Sequence, residues 1–156
     1  MNYRDFAYGN EFEEFFEIVT PDCTFDVINL PPQLWRNIYL LDIRPDRSLI
    51  VRLAGDAIQS VFDRNLKGVD LRQVTHGAGS KTVTDAYDAA IDDFKSRLMR
   101  RRVHLRAKNI TRIIECGFVP LVHDGGVHQI VGCFMAETAI MDHPDYGCDD
   151  FVIYSL

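Results

Sequence analysis

Residues 37–69 read NIYLLDIRPDRSLIVRLAGDAIQSVFDRNLKGV, and this stretch sets the architecture of the chain. Two short apolar runs at 37–43 and 48–53 flank the polar turn RPDR, which predicts a β-hairpin. A Gly-Asp break follows, then a short helical segment and the glycine-terminated loop DRNLKG at 63–68. A hairpin followed at once by a helix and a loop builds one wall of a small, ligand-sized cavity.

The segments on either side of this stretch complete an α+β pattern. Near the N terminus, Phe12, Phe15, Phe16 and Val19 share one helical face, and the stretch from Ser80 to Arg101 is predicted to be one long amphipathic helix. Strands are predicted near 103–109, 112–123 and 128–138, with a hairpin turn at Asp124-Gly125-Gly126 between the last two. Antiparallel strands with segregated helices predict an α+β domain with helices on one face of a five-stranded sheet.

Composition restricts the class of protein. The 156 residues suffice for one domain, and the net charge of -6 disfavours nucleic-acid binding. No apolar run is long enough to predict membrane insertion, and the N terminus lacks the features of a signal peptide. We therefore expect a cytoplasmic protein in which Cys23, Cys116, Cys133 and Cys148 are reduced thiols.

Three segments of the chain, taken in order, resemble a known family. LLDIRPD at 40–46, VRLAG at 51–55 and DRNLKG at 63–68 are similar in order and spacing to the short stand-alone bacterial PAS proteins. In that family a D-x-x-P-D turn leads to a Y/V-R-L-x-G strand and a G-R-D-L-T-G-like loop. The chain departs from the pattern at Asp63, where the family often has Gly, and at Asn65, where it has Asp.

The resemblance spans residues 12–138 and implies a PAS-like antiparallel sheet in the order 2-1-5-4-3. It also implies that any ligand or cofactor lies between the sheet and the helices. On this basis the chain divides into an N-terminal helical extension (1–36), a PAS-like core (37–138) and a C-terminal tail (139–156). Because N-terminal helices of the family often mediate dimerisation and many members regulate histidine kinases, we expect a homodimer with a histidine kinase as a candidate partner. The predicted dimer or partner contacts are Phe12, Phe15, Phe16 and Val19.

A ligand pocket is predicted from strand alternation, helical spacing and the resemblance together. Alternation places three residues of the second strand on one face, which the resemblance turns inward. Tyr87 and Cys133 are the polar groups expected to orient a ligand. The alternative is that the whole set is a filled core. The predicted pocket comprises Leu49, Val51, Leu53, Ile58, Val61, Phe62, Leu66, Leu71, Tyr87, Phe94, Leu98 and Cys133.

Neither a metal nor a haem nor a flavin is expected. The predicted long helix has no histidine to act as an axial haem ligand, and no Asn-Cys-Arg-Phe-like string supplies a flavin-reactive cysteine. His143, Asp145 and Cys148 are better explained as part of a solvated acidic tail than as a zinc site. Catalytic residues are not predicted either, because the sequence lacks GxSxG, HExxH and phosphate-cradling motifs.

Eight basic residues and no acid lie between Lys95 and Arg112. One explanation is favourable placement of cations at the C-terminal end of the predicted long helix. The band continues into the next predicted strand, however, and a functional reading is a site for an acidic partner or an anionic ligand. The residues of that reading are Arg101, Arg102, Arg106 and Lys108.

The leading hypothesis is a single-domain PAS sensory or adaptor protein that binds a small molecule, a signalling partner or both, and regulates by protein contact. It is not expected to be an enzyme. One alternative is a small α+β enzyme with Asp42 as an acid in an apolar cavity. Another is a ligand-free dimerisation scaffold.

Overall fold

The computed structural model describes residues 3–74, 80–105, 110–136 and 152–155. Four α-helices are present in these ranges: α1 Gly9–Ile18, α2 Asp56–Phe62, α3 Leu71–Val74 and α4 Ser80–Asp93. The strands are β1 Ile38–Ile43, β2 Leu49–Ala54, β3 Arg97–Leu105, β4 Ile110–His123, β5 Gly126–Ala136 and β6 Val152–Ser155. Short 3-10 helices occupy Tyr3–Asp5, Val27–Asn29 and Pro32–Asn37. Within the described ranges no helix is long and apolar enough to cross a membrane.

The strands form one antiparallel sheet in the order β2-β1-β5-β4-β3-β6. The first five strands follow the predicted order 2-1-5-4-3, so the fold-class prediction is confirmed. The hairpin turn between β4 and β5 is also in the predicted place, with positive φ angles at Asp124 and Gly125. The sixth strand pairs with the outer edge of β3, so the backbone of residues 152–155 lies on the chain's own sheet.

A bulge in β2 corrects one pocket prediction. Leu41 pairs with Val51 but Leu40 pairs with Leu53, which leaves Arg52 without a partner in the ladder. An extra residue of this kind reverses the alternation beyond it. Leu53 therefore lies on the same side as Leu40 and is 38% exposed. Its predicted inward orientation is wrong, whereas Val51 is buried as predicted.

The predicted long helix is shorter than expected. α4 ends at Asp93, and Phe94 follows in the left-handed region with a φ of 60°. The Asp93 carboxylate accepts a hydrogen bond from the backbone N–H of Lys95, which is the geometry of an Asx-turn. The chain then enters β3, so Leu98 and the arginines that follow it are strand residues. The helical interpretation of residues 94–101 is wrong because pairing with β4 and β6 outweighs a short helical periodicity.

Helix α1 covers the face of the sheet opposite to α2–α4. Phe12, Phe15 and Val19 are buried in an apolar cluster with residues of β1, β3, β4 and β5, here called the outer core. Phe16 packs against the same cluster. The apolar face predicted to form a dimer therefore packs within the chain. Phe12, Phe15 and Val19 are buried there, so they do not face a second copy, whereas Phe16 stays partly exposed.

The N-terminal segment is fixed to the sheet by a buried carboxylate on β4. Glu115 is fully buried, and its two oxygens accept hydrogen bonds from the backbone N–H groups of Ala7 and Tyr8, just before α1. Arg100 of β3 forms an ion pair with Glu115 at 2.8 Å, and its guanidinium lies 4.9 Å from the ring centroid of Phe6. The Glu115–Arg100 ion pair therefore connects the start of α1, strands β3 and β4, and the ring of Phe6.

The substitution Asp63→Gly is expected to raise the free energy of unfolding by about 0.5–1 kcal/mol. Asp63 is the C-cap of α2 and has a φ of 53°, a conformation that glycine adopts without the steric penalty of a side chain. Ala89→Gly on the exposed side of α4 is the matched control, because there the same new residue costs about 1 kcal/mol. Urea unfolding of both variants checks the sign, and a destabilised Asp63→Gly would contradict the role of this cap.

Candidate functional site

The space between the sheet and helices α2–α4 is filled by a second apolar cluster, here called the helix-side core. It is the layer in which the resemblance places a ligand. Eight of the predicted pocket residues belong to it or pack against it: Leu49, Val51, Ile58, Val61, Phe62, Leu66, Leu71 and Tyr87. The hairpin and the short helices therefore form one wall of this layer.

Three polar groups meet inside the helix-side core. The Tyr39 hydroxyl lies 2.7 Å from the Tyr87 hydroxyl and 2.9 Å from the Cys116 sulfur. Burial raises the pKa of Tyr39 and of Tyr87 well above the usual range, and raises the pKa of Cys116 to about 11. All three groups are consequently neutral near pH 7, where they can donate and accept hydrogen bonds without carrying charge.

The rings of the two tyrosines cover the central strands. Tyr39 faces Gly132 across β1 and β5, and a Cβ atom on Gly132 would lie 1.9 Å from Cζ of Tyr39. Tyr87 of α4 stacks on Phe118 of β4, with ring centroids 4.4 Å apart and planes 22° apart. The middle of the helix-side core is thus closed by aromatic packing.

Three predicted pocket residues lie elsewhere. Leu98 and Cys133 are buried in the outer core, on the other face of the sheet, and Phe94 is 44% exposed just beyond α4. The cysteine that faces the tyrosines is Cys116, which is not among the predicted pocket residues. In the sequence, Cys116 and Phe118 are two residues apart on one strand and so share a face of the sheet. Which face points inward could not be assigned without the register of the strands.

One arginine of the predicted basic set lies beside the polar groups of the helix-side core. Arg101 pairs with Ile114 across β3 and β4, and Met99 and Cys116 occupy the neighbouring pair on the same face. Its Nε atom is sealed from solvent and has no hydrogen-bond partner. Burial lowers the pKa of Arg101, and the groups that act on it electrostatically are Tyr87, Cys116 and Tyr39.

The other three residues of the predicted basic set are described only in part or not at all. For Arg102 the structure gives the backbone pairing with Ile113 on β4. Arg106 and Lys108 lie outside the described residues. Of the four basic residues predicted to bind an anion, Arg101 is therefore the one that the described structure locates beside the helix-side core.

Asp42, the acid of the alternative enzyme hypothesis, is not in the helix-side core. Its side chain is partly exposed, accepts a hydrogen bond from Gln129 at 2.8 Å and lies 3.5 Å from Arg52. Since Leu41 faces the helix-side core, alternation directs Asp42 to the opposite face. The expectation of a buried acid in an apolar cavity is wrong for this residue. Across the described ranges, no cluster of three or more His, Cys, Asp or Glu side chains could hold a metal ion.

A small cavity of about 160 Å³ lies away from the helix-side core. It is lined by the end of α1 and the segment that follows, including Val19, Cys23, Phe25 and Leu30. Because Val19 and Leu30 belong to the outer core, this cavity opens beside the face that α1 covers and not beside the tyrosines.

The buried thiol and hydroxyls predict that the protein loses stability in alkali. A thiol or hydroxyl whose pKa is higher in the folded chain than in the unfolded chain stabilises the folded state while it is neutral. Its contribution to the free energy of unfolding is complete below the unfolded pKa and is lost as the pH rises from the unfolded to the folded pKa. For Cys116 that window runs from about pH 9 to about pH 11. The free energy of unfolding should fall by about 1.4 kcal/mol per pH unit for each such group that titrates only in the unfolded chain. Urea unfolding at pH 8, 9 and 10 checks this, and Cys116→Ala should give a shallower fall. A flat profile would contradict the burial of these groups.

Comparisons with known proteins identify the fold. No family model and no curated protein matches the sequence. Solved structures with the same fold include the LOV protein of Rhodobacter sphaeroides, at 13% identity and a TM-score of 0.54 over 83% of this chain and 68% of that one. The PAS domain of Bordetella pertussis BvgS has 17% identity and a TM-score of 0.51 over 83% and 87%. A Haloarcula marismortui domain, described as part of a light and redox sensing histidine kinase, has 17% identity and a TM-score of 0.52 over 66% and 91%. At these identities the likeness shows that the chain has the PAS/LOV fold.

Proposed function

We propose that this chain is a PAS-type sensory module that responds to a small molecule held between the sheet and helices α2–α4. The observation that supports this is the group of polar side chains inside the helix-side core, namely Tyr39, Tyr87 and Cys116 with Arg101 beside them. A core that serves stability alone is normally apolar, and a few convergent polar groups in an apolar layer are typical of ligand sites. A ligand would act by binding two arrangements of the sheet and helices with different affinities.

The side chains of the helix-side core do not fit a flavin. One LOV structure with this fold is described with a flavin analogue, so flavin has to be considered. In this chain the ring of Tyr39 lies over Gly132 and the ring of Tyr87 lies on Phe118, where a flat ring system would have to pack against the sheet. The sequence also has no cysteine between Cys23 and Cys116, so α2, α3 and α4 offer no thiol. The proposed ligand is therefore smaller than a flavin and avoids the middle of the layer.

We propose that the output passes to a signalling protein, with a histidine kinase as the leading class. The histidine-kinase domain among the structures with this fold supports the class, as does the family resemblance. A homodimer in the cytoplasm remains part of the proposal, but its interface must differ from the buried face of α1. Size-exclusion chromatography with light scattering tests the dimer, and a monomer at all concentrations would remove it.

A ligand-free scaffold is the second candidate, and the aromatic packing over Gly132 and Phe118 favours it. Native mass spectrometry of the freshly purified protein, followed by denaturing mass spectrometry of the same sample, separates the two. The sensory proposal predicts a second mass in the native spectrum that disappears on denaturation. If only the mass of the chain is found, and no compound of a broad metabolite set raises the melting temperature, the scaffold is the better account.

A further inference from the structure

Arg101 is a charged side chain directed towards the helix-side core, and within the described residues no carboxylate forms an ion pair with it. The helix-side core contains the side chains on either side of it on the same face of the sheet, Met99 and Ile114, and both are fully or almost fully buried. The groups that act on its charge, Tyr87, Cys116 and Tyr39, are all neutral near pH 7. Arg101 as a whole is half-buried, but its Nε atom is sealed from solvent and has no hydrogen-bond partner among the described residues.

Arg101 differs from the other charged groups with buried atoms because those have an ionic partner. The Arg47 Nε and Asp88 Oδ1 atoms also lack a hydrogen bond, but they lie 3.7 Å from each other. Arg97 is also directed to the helix side, where it forms an ion pair with Asp93 at 2.5 Å. Glu115 is paired with Arg100 on the opposite face. A buried charge is normally paired and hydrogen-bonded, because desolvation of an unpaired ion is strongly unfavourable. An anion that enters from outside would complete the site at Arg101.

The chemistry beside Arg101 selects the kind of anion. The planar guanidinium binds a carboxylate through two parallel hydrogen bonds. A single positive charge balances a monocarboxylate but leaves a phosphate dianion with a charge in excess. The side chains beside Arg101 on the sheet are a thioether and a branched alkyl group, so an apolar body suits the remainder of the ligand. The tyrosine hydroxyls and the thiol can meet one further polar atom.

We infer that the ligand of this sensory site is a small monocarboxylate with an apolar or aromatic body, bound through its carboxylate to Arg101. The inference rests on the proposed function, since it names the ligand class of the same site. The ligand lies at the β3 side of the helix-side core, where it avoids the stacked rings of Tyr87 and Phe118.

Calorimetric titration of the full chain with phenylacetate, benzoate and hexanoate tests the inference. The neutral amides of the same acids serve as ligand controls. The wild type should bind at least one acid more tightly than its amide. Arg101→Gln should lower the affinity for that acid by at least ~30-fold and leave the affinity for the amide nearly unchanged. Arg52→Gln is the matched protein control, because it removes the same charge from an exposed side chain on β2 and should leave the acid-to-amide ratio unchanged.

Each outcome of this experiment decides the inference. If none of the three acids binds the wild type, or if Arg101→Gln keeps the acid-to-amide ratio, the inference is overturned. Should Arg101→Gln fail to fold, Arg101→Lys replaces it, and a loss of affinity smaller than threefold with this single-point donor overturns the bidentate contact. A neutral molecule found by native mass spectrometry would overturn the inference that the ligand is a carboxylate, while it would support the sensory function. Absence of any bound or binding compound would remove both.

Discussion

Replacing Glu115 with Ala is expected to lower the free energy of unfolding by about 3 kcal/mol. The substitution leaves the Arg100 guanidinium without its counterion and the backbone N–H groups of Ala7 and Tyr8 without acceptors. Removing one partner of a buried ion pair typically costs ~3–5 kcal/mol, and the partial exposure of Arg100 places this case near the lower end. Urea unfolding measures the loss, and hydrogen exchange should show that amides of α1 lose protection first.

Two variants make the Glu115 result interpretable. Glu13→Ala removes an exposed acid from α1 and should change stability by no more than about 0.5 kcal/mol. The double replacement Arg100→Met with Glu115→Met removes both charges and should recover much of the loss, because no unpaired ion remains in the outer core. A loss below 1 kcal/mol for Glu115→Ala would show that the N-terminal segment does not depend on this carboxylate.

Gly132→Ala is expected to lower the free energy of unfolding by about 1–3 kcal/mol. The added methyl group would overlap the Tyr39 ring at 1.9 Å from Cζ, and Tyr39 is held by contacts with Tyr87 and Cys116. Relief requires the ring to leave the central strand, which breaks these contacts. Thermal and urea unfolding measure the effect, and the near-ultraviolet circular dichroism of the tyrosines should change with it.

The Gly132 prediction has a control in the same strand and a rescue across the sheet. Gly126→Ala adds the same methyl group where the nearest neighbouring atom, Nε2 of His128, is 4.0 Å away, so it should be nearly neutral. In a Tyr39→Leu background Gly132→Ala should cost much less, since the ring that it strikes is gone. Equal costs in the two backgrounds would contradict the packing of Tyr39 on Gly132.

Local sequence patterns were enough to predict the strands of the hairpin, whereas the order of the strands in the sheet was predicted from the family resemblance. Residues 37–53 form β1 and β2 to within one residue, because alternation and turn chemistry act over short distances. The prediction that alternate β2 residues face inward was correct for Leu49 and Val51. It was wrong for Leu53, which follows the bulge at Arg52. A bulge is fixed by pairing with a distant strand, so the hairpin sequence alone does not reveal it.

Features that depend on long-range register could not be predicted from the sequence. Residues 97–101 carry a helical periodicity but become β3, because β4 and β6 pair with them. The same register decides that Cys116 joins the tyrosines and that Cys133 does not. Glu115 had a signal, since an acid in the apolar run IIECGFVPL at 113–121 requires a buried partner, but its partners at Ala7, Tyr8 and Arg100 are brought to it by the fold.

The central claim is that the helix-side core binds a small anion beside Arg101. The most direct measurement is a crystal structure of the full chain with 4-bromophenylacetate, in which the anomalous signal of bromine locates the ligand. The account predicts a bromine peak between β3 and the helices, with the carboxylate within hydrogen-bonding distance of the Arg101 guanidinium. A peak in the cavity beside α1, or at the protein surface alone, would contradict it.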